Sequence, residues 1–211
     1  MINLLFENPI LFAVTAVGLV LAIGIHEFAH AYVADRLGDP TPRLQGRVTL
    51  NPIKHLDLFG SLFILFVGFG WGKPVQFDPF NLRDPRRDGA IIALAGPVSN
   101  VILAAVTGLV TLGFQMAGML PSIASAIAYL FIYTNLGLAV FNMIPIHPLD
   151  GFKIVGGILP PEKAHEWYAL ERYGMIFLIL LIVPLGNSTM VSTIVRPIVQ
   201  FLAGIFAGHL M

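Results

Sequence analysis

AIGIHEFAHAYVA, residues 22–34, decides how the rest of the chain is read. An apolar helix runs up to Ile25 and then places His26, Glu27 and His30 where lipid-compatible residues are expected. HEFAH has the form HExxH. On an α-helix, positions i and i+4 share a face, so His26 and His30 can turn one imidazole nitrogen each to a single metal ion. Glu27 sits about 100° round the helix from His26, close enough to reach a metal-held water without ligating the metal. Zinc hydrolysis needs such a set: neutral imidazoles, a further ligand, an open position and a carboxylate base. Chance produces HExxH about once in 250 shuffled chains of this composition. The alternative, a hydrogen-bonded polar trio in an ordinary helix, is disfavoured because three ionisable groups in an apolar helix are costly unless they act.

The composition says where that helix lies. Of 211 residues, 56% are hydrophobic and 11% charged, against about 25% charged in soluble domains. Mean hydropathy is +0.82. The chain reads as an integral membrane protein, with the lipid bilayer as its surroundings. Twelve Lys and Arg balance twelve Asp and Glu, which leaves no field to attract nucleic acid. Without cysteine there is neither a disulfide framework nor a thiolate ligand, so His, Asp or Glu must hold any metal. No basic stretch opens the chain, which argues against a cleaved signal peptide.

Taken in order, residues 9–34 are long enough to cross a bilayer, with HEFAH near the C-terminal end. Residues 35–57 are polar, and Pro40, Pro42 and Pro52 preclude a long helix. GRVTLN (46–51) predicts a short strand, and KPVQFD (73–78) another. Between them, 58–71 is apolar but too short for a span. Residues 89–116 predict a span that Pro97 should kink. Its Asn100 is read either as interhelical glue or as support for the metal site. Residues 122–144 predict a further span, ending in FNMIP. A polar connector follows, then two apolar segments, 173–186 and 189–207. The fold class expected is an all-α polytopic membrane protein. It has about five to six hydrophobic segments and a small membrane-associated β-strand region between the first two clear spans. The whole of 1–211 reads as one domain, with a core over about 9–155.

HExxH supplies two ligands, and few membrane-proximal residues can supply a third. Asp150 lies in a Pro- and Gly-broken stretch, IHPLDG (146–151), where unwound backbone can aim a carboxylate. The competing reading is an ordinary Asp-Gly turn. HEFAH followed some 115 residues later by NMIPIHPLDG (142–151) resembles the site-2 protease family, peptidase family M50, of intramembrane zinc metalloproteases. Its signature adds Asn-x-x-Pro-x-x-x-x-Asp-Gly to HExxH, and Asn142, Pro145, Asp150 and Gly151 match. GPVSN (96–100) and residues 46–57 are similar to the compact prokaryotic branch, without PDZ or CBS domains. The resemblance covers about residues 20–155. It implies one zinc ion held by His26, His30 and Asp150, Glu27 as the base, and Asn142 against substrate backbone. His147 departs from the expected apolar or Pro residue, and reads as a supporting group near the metal or a solvated loop histidine. His55 is similar to a position this branch often keeps, near the metal or capping the strand region.

The function expected is hydrolysis of peptide bonds within or next to transmembrane helices of other membrane proteins, single-span or multi-span. A membrane metal-ion transporter is the alternative. Glu27 separates the two, since transit needs no base. Arg36, Arg43, Arg47 and Lys54 follow the first span and nothing basic precedes it. The positive-inside rule therefore places the metal towards the cytoplasmic side of the cell membrane. For Asp150 to reach the same ion, segment 58–71 must dip in and return, as Gly60, Gly68 and Gly70 suggest.

Overall fold

The computed structural model describes residues 2–67, 70–185 and 188–210. After a short α1 (Ile2–Glu7), α2 (Pro9–Arg36) begins at Asn8, whose side-chain oxygen accepts from Leu11 N at 3.0 Å, with Pro9 at its first position. Proline suits that position because its missing N–H would have no helical partner. Twenty-eight residues give about 42 Å of helix, enough to cross a bilayer and carry HEFAH past its middle. A short α3 (Thr41–Leu44) and α4 (Leu58–Val67) lead to α5 (Pro85–Met116), whose N-cap Asp84 accepts from Arg86 N and Arg87 N. α5 continues through Pro97. Then come α6 (Ser122–Asn142), α7 (Asp150–Ile158), α8 (Pro161–Tyr168), α9 (Glu171–Ile182) and α10 (Met190–Ala207).

α2, α5, α6 and α10 are long and apolar enough to cross a membrane, so this is a multi-pass membrane protein. Of the five to six expected segments, α4, with 10 residues, and α9, with 12, are too short; α9 ends before Pro184, which cannot continue it. α5 is the hub, packed against α2, α6 and α7. α10 lies on α6 in one cluster of Ile132, Leu136, Val195, Val199, Ala203 and Ala207, which Ala104 of α5 joins. The many alanines here follow from the solvent. Lipid is as apolar as leucine, so helices associate by close approach and polar contacts rather than by leaving water. Large residues such as Val17, Ile102, Leu109, Phe177 and Phe201 face outward.

Residues 46–51 do not form the expected strand. Gly46 has φ of 67° and Arg47 N donates to Pro42 O, so the chain turns; the following residues bend into a 3-10 turn at Pro52–His55. Residues 73–78 form no strand, though Asp78 at their end has extended backbone. Two of their amides go to side chains, Val75 N to Glu27 and Asp78 N to Asp39, and Lys73 N goes to His55 O. Alternation of apolar and polar residues marks an extended chain, and here no neighbouring strand completes a ladder. The β-strands among the described residues are Pro184–Leu185 (β1) and Ser188–Thr189 (β2), an antiparallel pair elsewhere in the chain. The excursion through α4 returns to its start: Leu56 bridges Gly72, and Lys73 N donates to His55 O at 2.7 Å. Gly68, one of the glycines expected to shape this dip, lies outside the described residues.

Candidate metal centre and hydrolytic site

Three elements meet at one point. α2 contributes His26 and His30, both buried, and the first residue of α7 contributes Asp150. Gly151 lets α7 start there, since a Cβ would fall 2.3 Å from Met143 O and 2.5 Å from Ile144 O at the end of α6. Asp150 Oδ2 stands 3.1 Å from His26 Nε2 and 3.3 Å from His30 Nε2.

The hydrogen bonds on the far side of each ring fix which nitrogen carries the proton. His30 Nδ1 lies 2.7 Å from Ile92 O, which can only accept, so Nδ1 donates. His26 Nδ1 lies 2.7 Å from Asn100 Oδ1. Asn100 Nδ2 already donates to Ala22 O and to Asn135 Oδ1, so its oxygen accepts from His26. Both Nε2 atoms therefore present lone pairs to a carboxylate oxygen that has no hydrogen-bond donor of its own. Three lone pairs facing one another in a buried space repel unless a cation lies between them. Ligands about 2.0–2.1 Å from zinc at tetrahedral angles stand about 3.3 Å apart, the spacing found here. α5 backs the site with bare main chain: a Cβ on Gly96 would lie 2.5 Å from the Nε2 of both histidines. The His-His-Asp group fits one zinc ion.

Glu27 is half-buried beside this group, and its Oε2 accepts from Val75 N at 3.1 Å. The other candidates are placed differently. Asn100 is fully buried and joins α2, α5 and α6, so it is both interhelical glue and a support for His26. Asn142 closes α6, half-buried, its amide donating to Leu138 O at 3.0 Å. His55 is buried in the 46–55 loop with Nε2 on Thr49 O at 2.8 Å. Burial pushes this imidazole below its ordinary value, and nearby Arg47 adds to the effect. His147 is turned to Glu171, 3.6 Å away, with its ring edge-on to Phe152.

Asn135 was not singled out in the sequence. It is fully buried and continues the chain from His26 through Asn100 to Phe131 O. An asparagine inside the span 122–144 was its signal, of the same kind that marked Asn100. Ile92 O is main chain and leaves none.

A multi-pass membrane protein with a buried His-His-Asp group, each imidazole held from behind, is a membrane-embedded metal enzyme in outline, and the comparisons say which. The pattern of peptidase family M50 matches residues 14–127 and 114–181. YwhC of Bacillus subtilis, which carries the name of a candidate zinc metalloprotease, is 42% identical over 175 residues, covering 80% of each chain. Rip2 of Mycolicibacterium smegmatis, named likewise, is 32% identical over 186 residues, covering 83% of this chain and 69% of the relative. Zinc metalloprotease MJ0392 of Methanocaldococcus jannaschii is 25% identical over 165 residues, 76% of this chain and 39% of the relative. No solved structure matches the chain. The chain belongs to peptidase family M50, the site-2 proteases. It is a zinc metallopeptidase.

Proposed function

We propose that this peptidase cleaves peptide bonds within or next to transmembrane helices of other membrane proteins, with His26, His30 and Asp150 as zinc ligands and Glu27 as the general base. We take 1–211 as one catalytic domain. The observation that carries this reading is the convergence of two imidazole lone pairs and one carboxylate oxygen at 3.1–3.3 Å, beside a glutamate on the same helix. A zinc ion held by these three residues would supply an acidified water, with a pKa lowered towards about 7, and a Lewis acid for the peptide carbonyl. Glu27 takes the proton from the attacking water and hands it to the leaving amine. Asn100 and Ile92 O keep both rings in the tautomer that ligates.

A transmembrane helix satisfies its own backbone, so a substrate must unwind before a carbonyl reaches the site. Its freed N–H and C=O groups need partners in a dry place. The 73–78 segment, in reach of Glu27, offers an edge for such pairing. Asn142 faces the same task; with its amide on Leu138 O, its side-chain oxygen is the group to receive a substrate N–H. Arg36, Arg43 and Lys54, with Arg83 before α5 and Arg86 and Arg87 in its first turn, support a cytoplasmic position in the cell membrane. The metal-transport alternative has no use for Glu27 and is not favoured by family membership.

Glu27→Gln tests the reading. The purified variant should keep one zinc per chain and lose cleavage of a single-span substrate by about 10²-fold or more, the usual worth of a positioned proton-transfer group. Turnover within about tenfold of wild type refutes the assignment.

A further inference from the structure

Arg47 belongs by sequence to the basic loop after α2, yet it is only 5% exposed. Its guanidinium donates to main-chain carbonyls. Nη1 donates to Lys54 O at 3.0 Å, and Nη2 donates to Lys73 O. Those two carbonyls lie on either side of the α4 excursion, nineteen residues apart (73 − 54). The same closure carries the Leu56–Gly72 bridge and the Lys73 N to His55 O bond. Two residues beyond Lys73, the Val75 N–H donates to Glu27 Oε2. Beyond that, Asp78 N is held by buried Asp39 at 2.8 Å. The 73–78 segment is thus tied at both ends, with Glu27 bonded near its middle. A buried guanidinium is costly without compensation. Burial pushes Arg47 below its ordinary value, and Glu27 is the charge that acts against that shift.

We propose that Arg47 is a positioning residue for hydrolysis. By gripping Lys54 O and Lys73 O together it sets the 73–78 segment over the site. The Val75 N–H then holds one oxygen of Glu27 and leaves the other to take the proton. The proposal rests on the reading of Glu27 as the base. A planar guanidinium can bind two separate carbonyls at fixed angles, and a lysine ammonium, a single point donor on a flexible stem, cannot reproduce that fork.

Three variants of the full-length zinc-loaded protein test it: Arg47→Met, Val75→Pro, which removes the N–H that Glu27 accepts from and also fixes φ there, and the two combined. Each single change should lower kcat by about tenfold or more, with KM within about threefold and zinc still at one per chain. The combined variant should be no worse than the weaker single one by more than about threefold, because both changes break one chain of contacts. Amide exchange read on 72–78, which needs no turnover, should quicken by about tenfold or more in Arg47→Met, while α2 and α5 stay as in wild type. Losses that multiply in the combined variant, zinc lost from Arg47→Met, or unchanged exchange over 72–78 would each overturn the proposal. Turnover surviving in Glu27→Gln would overturn the underlying assignment of the base instead, and the exchange measurement tells the two failures apart.

Discussion

Gly96 shows how little the centre tolerates. Its missing side chain leaves α5 flat against both ligand rings, where a methyl group would lie 2.5 Å from each Nε2. Gly96→Ala should therefore displace an imidazole or push α5 away, and zinc content measured on the purified protein should fall well below one per chain while the helices still form. Asp150→Ala should also lower zinc content, because two imidazoles alone are an incomplete shell; full occupancy would place the third ligand elsewhere. His26, Glu27, His30 and Asp150 stood out in the sequence, because ionisable residues in apolar helix and a broken Pro-Gly stretch are conspicuous, and the structure brings His26, His30 and Asp150 together. GPVSN was conspicuous too, but nothing in it said that Gly96 stands behind the metal ligands, since that depends on how α5 crosses α2. His55 and His147 show the reverse: metal-binding residue types that are turned to a loop carbonyl and to Glu171.

Among elements, the 73–78 segment was the hardest to read. The strand expected there does not form, and its partners were not legible, because they come from three distant stretches: Glu27 on α2, Asp39 after it and Arg47 in the loop. The four long spans, by contrast, announced themselves as apolar runs, since lipid imposes one requirement on every residue facing it. Asp39 carries the pH dependence of this region. It is fully buried. Burial works against its charge, but donors from the Thr41 hydroxyl, the Asn81 amide and the Thr41 and Asp78 main chain outweigh burial and hold its carboxyl below the ordinary 3.8. With the folded value depressed, its stabilising contribution is complete above the unfolded value and is lost as pH falls through the folded one. Asp39→Asn should cost about 2 kcal/mol at pH 7, of the order of one hydrogen bond to a charged group. The gap between variant and wild type in thermal unfolding should narrow as pH falls below the ordinary 3.8 and close once it passes the lower folded value. A gap unchanged at pH 3 would remove Asp39 from this role.

For the whole molecule, the meeting of His26, His30 and Asp150 constrains how the chain threads the membrane. The C-terminal part of α2 and the end of α6 must lie on one side. The Leu56–Gly72 closure gives the α4 excursion both ends at one place. Single cysteines at Lys54 and Lys73, both exposed in a chain with no native cysteine, should react with a membrane-impermeant reagent from the cytoplasmic face alone. Labelling from opposite faces would contradict the threading.

The polar chain from His26 through Asn100 to Asn135, with Asp150 beyond it, also bears on synthesis. One ligand pair comes at residues 26 and 30, and its partner 124 residues after the first (150 − 26). The ring of His26 gains its support only when α5 is made, and the asparagine that receives from Asn100 arrives with α6. A nascent chain still on the ribosome, with α2 already in the bilayer, holds two histidines and a glutamate without the carboxylate that completes the set. The order of the segments alone thus delays the complete metal site until residue 150 has been made, after α2, α5 and α6.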